Sequence, residues 1–363
     1  MHSFLQKSHN KTKKQEIDAM STKQKYDIGE QSLIFPNPVY LISGASVVGK
    51  KEGEGPLGSA FDMICDDDKF GEDTWEMAES TLQKEALSLA MGKAGLKPED
   101  IRYLFAGDLL GQNIATSFGL MDYEIPLFGL YGACSTAGES LSLASMCVGA
   151  GYAKTVAALT SSHFASAEKQ FRFPLEYANQ RPVSATWTVT GSGAFLLSGK
   201  KGDIRITGVT TGKIIDMGIK DSMNMGAAMA PAAADVIAQN LEDFGRKPTD
   251  YDKIITGDLG YIGQEILINL LKQKKIDISG VHEDCGILIY DRDKQGTGSG
   301  GSGCGCSAVT LCAHYLPMLK GGSLKRILFV PTGALLSTVS FNEGQNVPGI
   351  AHAVVLEYAG EES

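Results

Sequence analysis

No stretch of the 363-residue chain is long and apolar enough to cross a bilayer, so any membrane contact must run through the surface or a partner. Basic residues are in the minority. The 33 Lys and Arg against 42 Asp and Glu leave a net charge of −9, which argues against a nucleic-acid partner. Seven cysteines are an odd number, and with no signal peptide in view they read as reduced thiols of a cytosolic-type compartment. His282, Cys285, Cys304 and Cys306 have the chemistry of zinc ligands, but a second cysteine knuckle is missing. Gly296-Thr297-Gly298-Ser299-Gly300-Gly301 fits the glycine pattern of a dinucleotide loop. No acid occurs between Asp293 and Glu343 to hold a ribose, so these glycines are expected to allow close backbone packing near a pocket instead. Neither a metal nor a cofactor is expected.

What is there is an ordinary globular composition, 43% hydrophobic and 21% charged. Met1 to Lys25 holds six lysines and no periodicity. With the residues up to 29 it is expected to be a disordered tail, inside which Met20 is an alternative start. Asp66-Asp67-Asp68 reads as a solvated loop. Trp75 to Ala94 has a helical apolar face (Ala78, Leu82, Ala86, Ala90), with Glu76, Glu79 and Lys84 placed off it, and Gly95 stops it. Met225 to Phe244 is a second helix, stopped by Gly245. Ser184 to Ser198 and Asp203 to Thr211 read as a hairpin or paired strands. Between Ser162 and Trp187 lies a long polar excursion with Lys169, Arg172 and Arg181, of a length that points to function.

The chain repeats itself. Lys97 to Leu110 reads KPEDIRYLFAGDLL and Lys247 to Gly260 reads KPTDYDKIITGDLG, an ungapped match offset by 150 residues. Each copy follows a helix ending in Gly and places an acid, Asp108 or Asp258, just after a strand. Cys134-Ser135 in the first half has Cys306-Ser307 as its counterpart in the second. Alternating strands and helices in two copies imply an α/β fold of two pseudo-symmetric halves, with sites at strand ends between them. The centre of this reading is Gly132-Ala133-Cys134-Ser135-Thr136. The strand-like run Ile125 to Leu130 leads in and a helix from Ser135 to Gly149 leads out. A thiol there is either a nucleophile activated by the helix N-terminus, part of an anion cradle, or an inert buried cysteine.

A duplicated α/β chain with this Cys elbow resembles the thiolase superfamily, which includes the ketoacyl-synthase condensing enzymes. The likeness spans residues 30–360. It implies a layered α/β/α/β/α arrangement of halves 30–215 and 216–363, and a homodimer joined through the first halves. Condensing enzymes of this kind pair the Cys with a His and an Asn. The matching positions here read Gly257-Asp258 and Gly303-Cys304-Gly305-Cys306-Ser307-Ala308, so both partners are absent and condensation is not expected.

Further strings narrow the resemblance: Gly107-Asp108-Leu109-Leu110, Thr160-Ser161-Ser162-His163, Glu168-Lys169-Gln170-Phe171-Arg172, Met229-Ala230-Pro231-Ala232-Ala233-Ala234-Asp235 and Asp284-Cys285-Gly286. Together with the elbow they look like the stage V sporulation protein AD family of spore-forming bacteria. That likeness implies binding of dipicolinic acid (pyridine-2,6-dicarboxylate) and a part in its uptake into the developing spore. It also implies membrane subunits as partners and a peripheral place at the spore inner membrane. For a flat dianion, N–H groups at Ser135 and at Gly333-Ala334 and the Arg172 guanidinium are the candidate anion contacts. Cys134, Cys306, His163 and His352 are further candidates. Asp108 and Asp258 become ligands if the acid arrives as its calcium chelate, and helix caps otherwise. Arg172 can alternatively pair with Glu168. The reading from another class is an acyltransferase that uses Cys134 as nucleophile.

Overall fold

The computed structural model describes residues 26–172, 176 and 180–360. Most of the expected tail therefore lies outside the described residues. At its end the expectation fails, because Asp27–Ile28 pairs antiparallel with Ser32–Leu33.

The first half supplies strands β1 (Val39–Gly49), β2 (Leu104–Gly107), β3 (Leu127–Gly129), β4 (Thr155–Ser162) and β5 (Gly191–Ser198). The second supplies β6 (Ile204–Thr210), which the expected boundary after 215 put in the first half but which pairs with the chain's last strand, then β7 (Lys253–Thr256), β8 (His282–Asp284), β9 (Arg326–Val330) and, last in the chain, Ala353–Tyr358. Two short strands, β10 (Thr332–Ala334) and β11 (Gly349–Ala351), pair off the main sheet, and Ala353–Tyr358 is then β12. The main path runs β8-β7-β9-β12-β6-β1-β5-β4-β2-β3. From either end it reads two parallel pairings and then two antiparallel ones, meeting at the antiparallel β1–β6 seam. The sequence repeat is thus a repeat of sheet topology. Its loops match too: Lys97 N–H donates to Asp100 and Lys247 N–H to Asp250, each opening a short turn before its strand.

Side chains alternate across a strand, so a strand buried on both faces feeds two cores. In β4, Val156 and Ala158 join one cluster while Ala157 and Leu159 join another. In β9, Ile327 and Phe329 share that first cluster, while Leu328 and Val330 join a third. The shared cluster contains two buried helices, α3 (Thr136–Gly149) and α7 (Cys304–Thr310). The outer clusters contain α1 (Trp75–Ala94) on one side and α5 (Met225–Asp243) with α6 (Gly260–Gln273) on the other. Helix, sheet, helix, sheet, helix is the expected layering. The short α2 (Ile114–Leu120) and α4 (Phe164–Phe171) complete the first half.

Three local expectations change. The β5 and β6 strands do not form a hairpin with each other. The long β1 lies between them and satisfies an edge of each. The excursion after Ser162 carries a helix, α4. On α1, Glu79 is buried, because the side of the helix facing α4 and the end of β4 is polar, with Gln83 and Ser161 beside it.

Candidate ligand site

The elbow is a tight, strained turn. Ala133 has φ +51°, a region side chains seldom enter. The Ser135 hydroxyl donates to Gly132 O (2.6 Å) and the Thr136 hydroxyl to Ala133 O (2.6 Å). The same carbonyls take the Ser135 and Thr136 N–H groups at 3.1 and 3.2 Å. These N–H groups are consumed by the turn, so Ser135 does not offer the ligand donor that was expected. Gly333 lies against this turn. A Cβ there would fall 2.4 Å from Gly132 O and 3.0 Å from Ser135 N.

Cys134 lies over an acid. Its Sγ is 3.9 Å from Ser302 Oγ. Ser302 donates its one proton to Asp258 Oδ2 at 2.9 Å, so along this line the thiol is the donor to Ser302. Asp258 also accepts from Gly303 N–H (3.0 Å) and the Thr332 hydroxyl (2.7 Å). Burial, then the neighbouring Asp258, push the Cys134 thiol well above the ordinary thiol range. Burial raises the Asp258 carboxyl as well, against the pull of its donors. A helix N-terminus would lower a thiol. Here desolvation and a carboxylate outweigh it, so the resting group is a neutral thiol.

Cys134 opens on a narrow cavity of about 40 Å³, far below the size of a usual small-molecule site. Leu109, Phe171, Met225, Ala334 and Leu336 supply apolar wall, and Thr186, Thr188, Ser302 and Arg172 supply polar atoms. Arg172 does reach it, but its guanidinium is held bidentate by Glu168 at 2.7 and 2.6 Å. Arg181 Nη1 donates to the same carboxylate at 2.9 Å, and its Nη2 to Thr186 O. The two guanidiniums hold Glu168 ionised although its side chain is 0% exposed. Of these three charged side chains Arg172 lines the cavity, with Glu168 and Arg181 behind it. The alternative pairing of Arg172 with Glu168 is what forms, in a largely buried position.

The remaining candidates lie elsewhere. Asp108 accepts from Leu110 N–H, Thr116 N–H and the Thr116 hydroxyl, tying α2 to the end of β2. It is a cap, and its repeat partner Asp258 has diverged from that role. In the second half Asp284 takes the backbone donors instead, from Leu259 and Gly260. Cys306 is buried in the shared core with its thiol toward Gly257 O, because α7 begins two residues before Cys306 whereas α3 begins two residues after Cys134. His352 accepts from Gly212 N–H away from the cavity, and burial lowers it to about 4. His163 caps α4 through Nδ1 and donates from Nε2 to Asp68 O, beside a different cavity. His282 bonds Thr256 and Gln264. The residues missed by sequence reasoning are Ser302, Thr332, Glu168, Thr186 and Thr188. Ser302 directly follows the glycine run expected to pack near a pocket, between Gly300 and Gly303 with their positive φ, and Glu168 was considered only as a partner for Arg172.

Two half-sheets closed around paired central helices, with a cysteine on the elbow between them, define a thiolase-like protein. The tetronic acid condensing enzyme AbyA1 has a similar structure (TM-score 0.57, 16% identity, 88% of this chain and 99% of that one). So do 3-oxoacyl-[acyl-carrier-protein] synthase III from Aquifex aeolicus (0.53, 16%, 88% and 100%) and human mitochondrial 3-ketoacyl-CoA thiolase (0.54, 12%, 90% and 100%). At such identities the likeness concerns the fold. The chain belongs to the stage V sporulation protein AD family, whose sequence model matches residues 29–357. Stage V sporulation protein AD of Bacillus subtilis (strain 168) is 46% identical over 332 residues, covering 92% of this chain and 98% of that protein.

Proposed function

We propose that the protein binds dipicolinate in the Cys134 cavity and takes part in its uptake into the developing spore, without catalysing a reaction. One observation carries this reading: the Arg172 guanidinium, oriented by Glu168, lines a cavity that pairs apolar walls with the hydroxyls of Thr186, Thr188 and Ser302, which suits a flat dianion. The neutral thiol over Asp258 supports the non-catalytic part, since a carboxylate at that place repels a developing oxyanion. Seating the ring requires the wall to open. Phe171 and Leu336 are the side chains between the cavity and an outer groove of about 450 Å³. No cofactor enters this reading, and calcium enters only as a chelate of the acid. The partners are membrane subunits of the uptake machinery, at the spore inner membrane. A second copy of the chain pairs along β3.

Calorimetric titration with dipicolinate, with and without calcium, tests the reading on wild type, Cys134→Ala and Arg172→Ala. Saturable binding that weakens at least tenfold in Arg172→Ala is expected. No binding to wild type overturns it. Mass spectrometry of Cys134 after exposure to acyl-CoA would then decide for the acyltransferase reading.

A further inference from the structure

The chain's two tryptophans, Trp75 and Trp187, line one cavity of about 290 Å³ separate from the Cys134 site. Lys51, Glu52, Asp68, His163 and Phe164 complete most of its wall. The two cavities lie on opposite sides of one partition. Thr186 and Thr188 face the Cys134 cavity, while Trp187 between them faces this one. Along α4, Ala167 and Phe171 face the first and Phe164 and Ala165 the second.

Two features make this more than a gap in packing. The Lys51 ammonium is held 4.4 Å from the Trp187 ring centre and donates to Gln295 O at 2.8 Å, which spends one of its three protons. Phe164 stacks on Trp187 at 3.9 Å and 8°, so the ring under that ammonium is fixed. The second feature is Glu52, which is 1% exposed. Its Oε1 accepts from Thr190 N–H at 3.0 Å and from the Tyr290 hydroxyl, but Oε2 has no partner among the described residues. A buried carboxyl oxygen left without a donor is costly, and such atoms in native proteins call for an explanation. A cation with protons to spare, an orphaned acceptor next to it and aromatic walls match a ligand carrying both charges on an apolar body.

We propose that this second cavity binds a small zwitterion of the amino-acid class, with its carboxylate on Lys51, its ammonium on Glu52 and its apolar part against Trp75 and Phe164. The site is independent of the dipicolinate reading. Because α4 and the Thr186–Thr188 segment are walls of both cavities, occupancy here also bears on the cluster around Glu168.

Tryptophan emission of the full chain reports on this cavity, since both indoles lie in its wall; Arg181 also reaches the Trp187 ring, so dipicolinate is titrated beside the amino acids as the control for the Cys134 site. Glycine, L-leucine and L-phenylalanine are titrated, followed by 4-methylpentanoate and 3-methylbutylamine, which each keep the leucine body and one charge. A saturable shift with leucine or phenylalanine is expected, at least tenfold weaker for either single-charge analogue and in Lys51→Met. Lys51 is partly exposed, so this variant is expected to fold, and the analogue comparison needs no variant. The proposal fails if none of the three amino acids gives a saturable shift. It also fails if the two analogues match leucine, or if dipicolinate alone responds.

Discussion

Cys134 Sγ and Ser302 Oγ face each other at 3.9 Å across the two halves, and the serine proton is already committed to Asp258. The thiol therefore sits at the head of a chain of donors that ends on a buried carboxylate. Its alkylation by iodoacetamide, followed site by site with mass spectrometry, should keep rising through pH 9 without levelling. Asp258→Asn removes the charge behind it and should raise the rate at pH 8 by roughly threefold or more, the effect of half a pKa unit. A rate that levels below pH 7.5 would mean an activated thiolate and contradict this account.

Gly333 has no room for a side chain. The atoms a Cβ would strike, Gly132 O at 2.4 Å and Ser135 N at 3.0 Å, are backbone atoms of the elbow and cannot swing aside. Gly333→Ala should cost roughly 1–3 kcal/mol. It should also displace Cys134, visible as a changed alkylation rate at unchanged pH. A neutral effect on both urea midpoint and rate would show that β10 yields freely.

The fold was legible because its signals are redundant. Two copies of one strand and turn motif, each with its Lys, Pro and Asp, pointed to a duplicated α/β fold before any contact was known. The elbow was legible for the same reason: Gly132 to Thr136 is a local motif, read from neighbours in sequence. The wall of the cavity was not. Glu168 acquires its meaning only when Arg181, thirteen residues on, folds back to it. Ser302 matters only because the second half places it under Cys134. Asp108 and Asp258 looked equivalent, and sequence cannot say that Asp284 has taken over the capping and released Asp258 to the thiol. Long-range placement of polar atoms, rather than periodicity, decides these roles.

Buried acids set the pH dependence of stability. Burial pushes Glu52 up to about 7, and Glu79 is raised in the same direction by burial and by Asp108. A carboxyl raised on folding binds its proton more tightly in the native state. Its contribution is fully present below the unfolded value, near 4.5, and is lost as pH rises through the folded one. The urea midpoint should therefore fall between pH 5 and pH 8.5. In Glu79→Gln that fall should be shallower, even though the amide suits its two serine donors less well and lowers the midpoint at pH 5. Parallel curves for wild type and variant would remove Glu79 as a cause.

The free edge of the sheet bears on assembly. β3 ends the sheet path on the first-half side, is exposed throughout and, among the described residues, pairs on one side only, with β2. Phe128 is 51% exposed while stacking on Phe105 at 5.1 Å, and Leu127 and Tyr131 are exposed beside it. An apolar edge strand left open is a template for another strand, which natural proteins usually blunt with charge. Phe128→Glu adds that charge at a position where solvent already reaches, so folding should be preserved. Light scattering after gel filtration should give a dimer mass for wild type and a monomer mass for the variant. A dimer that survives Phe128→Glu would place the subunit contact on another surface, and a monomeric wild type would remove the second copy from the proposal.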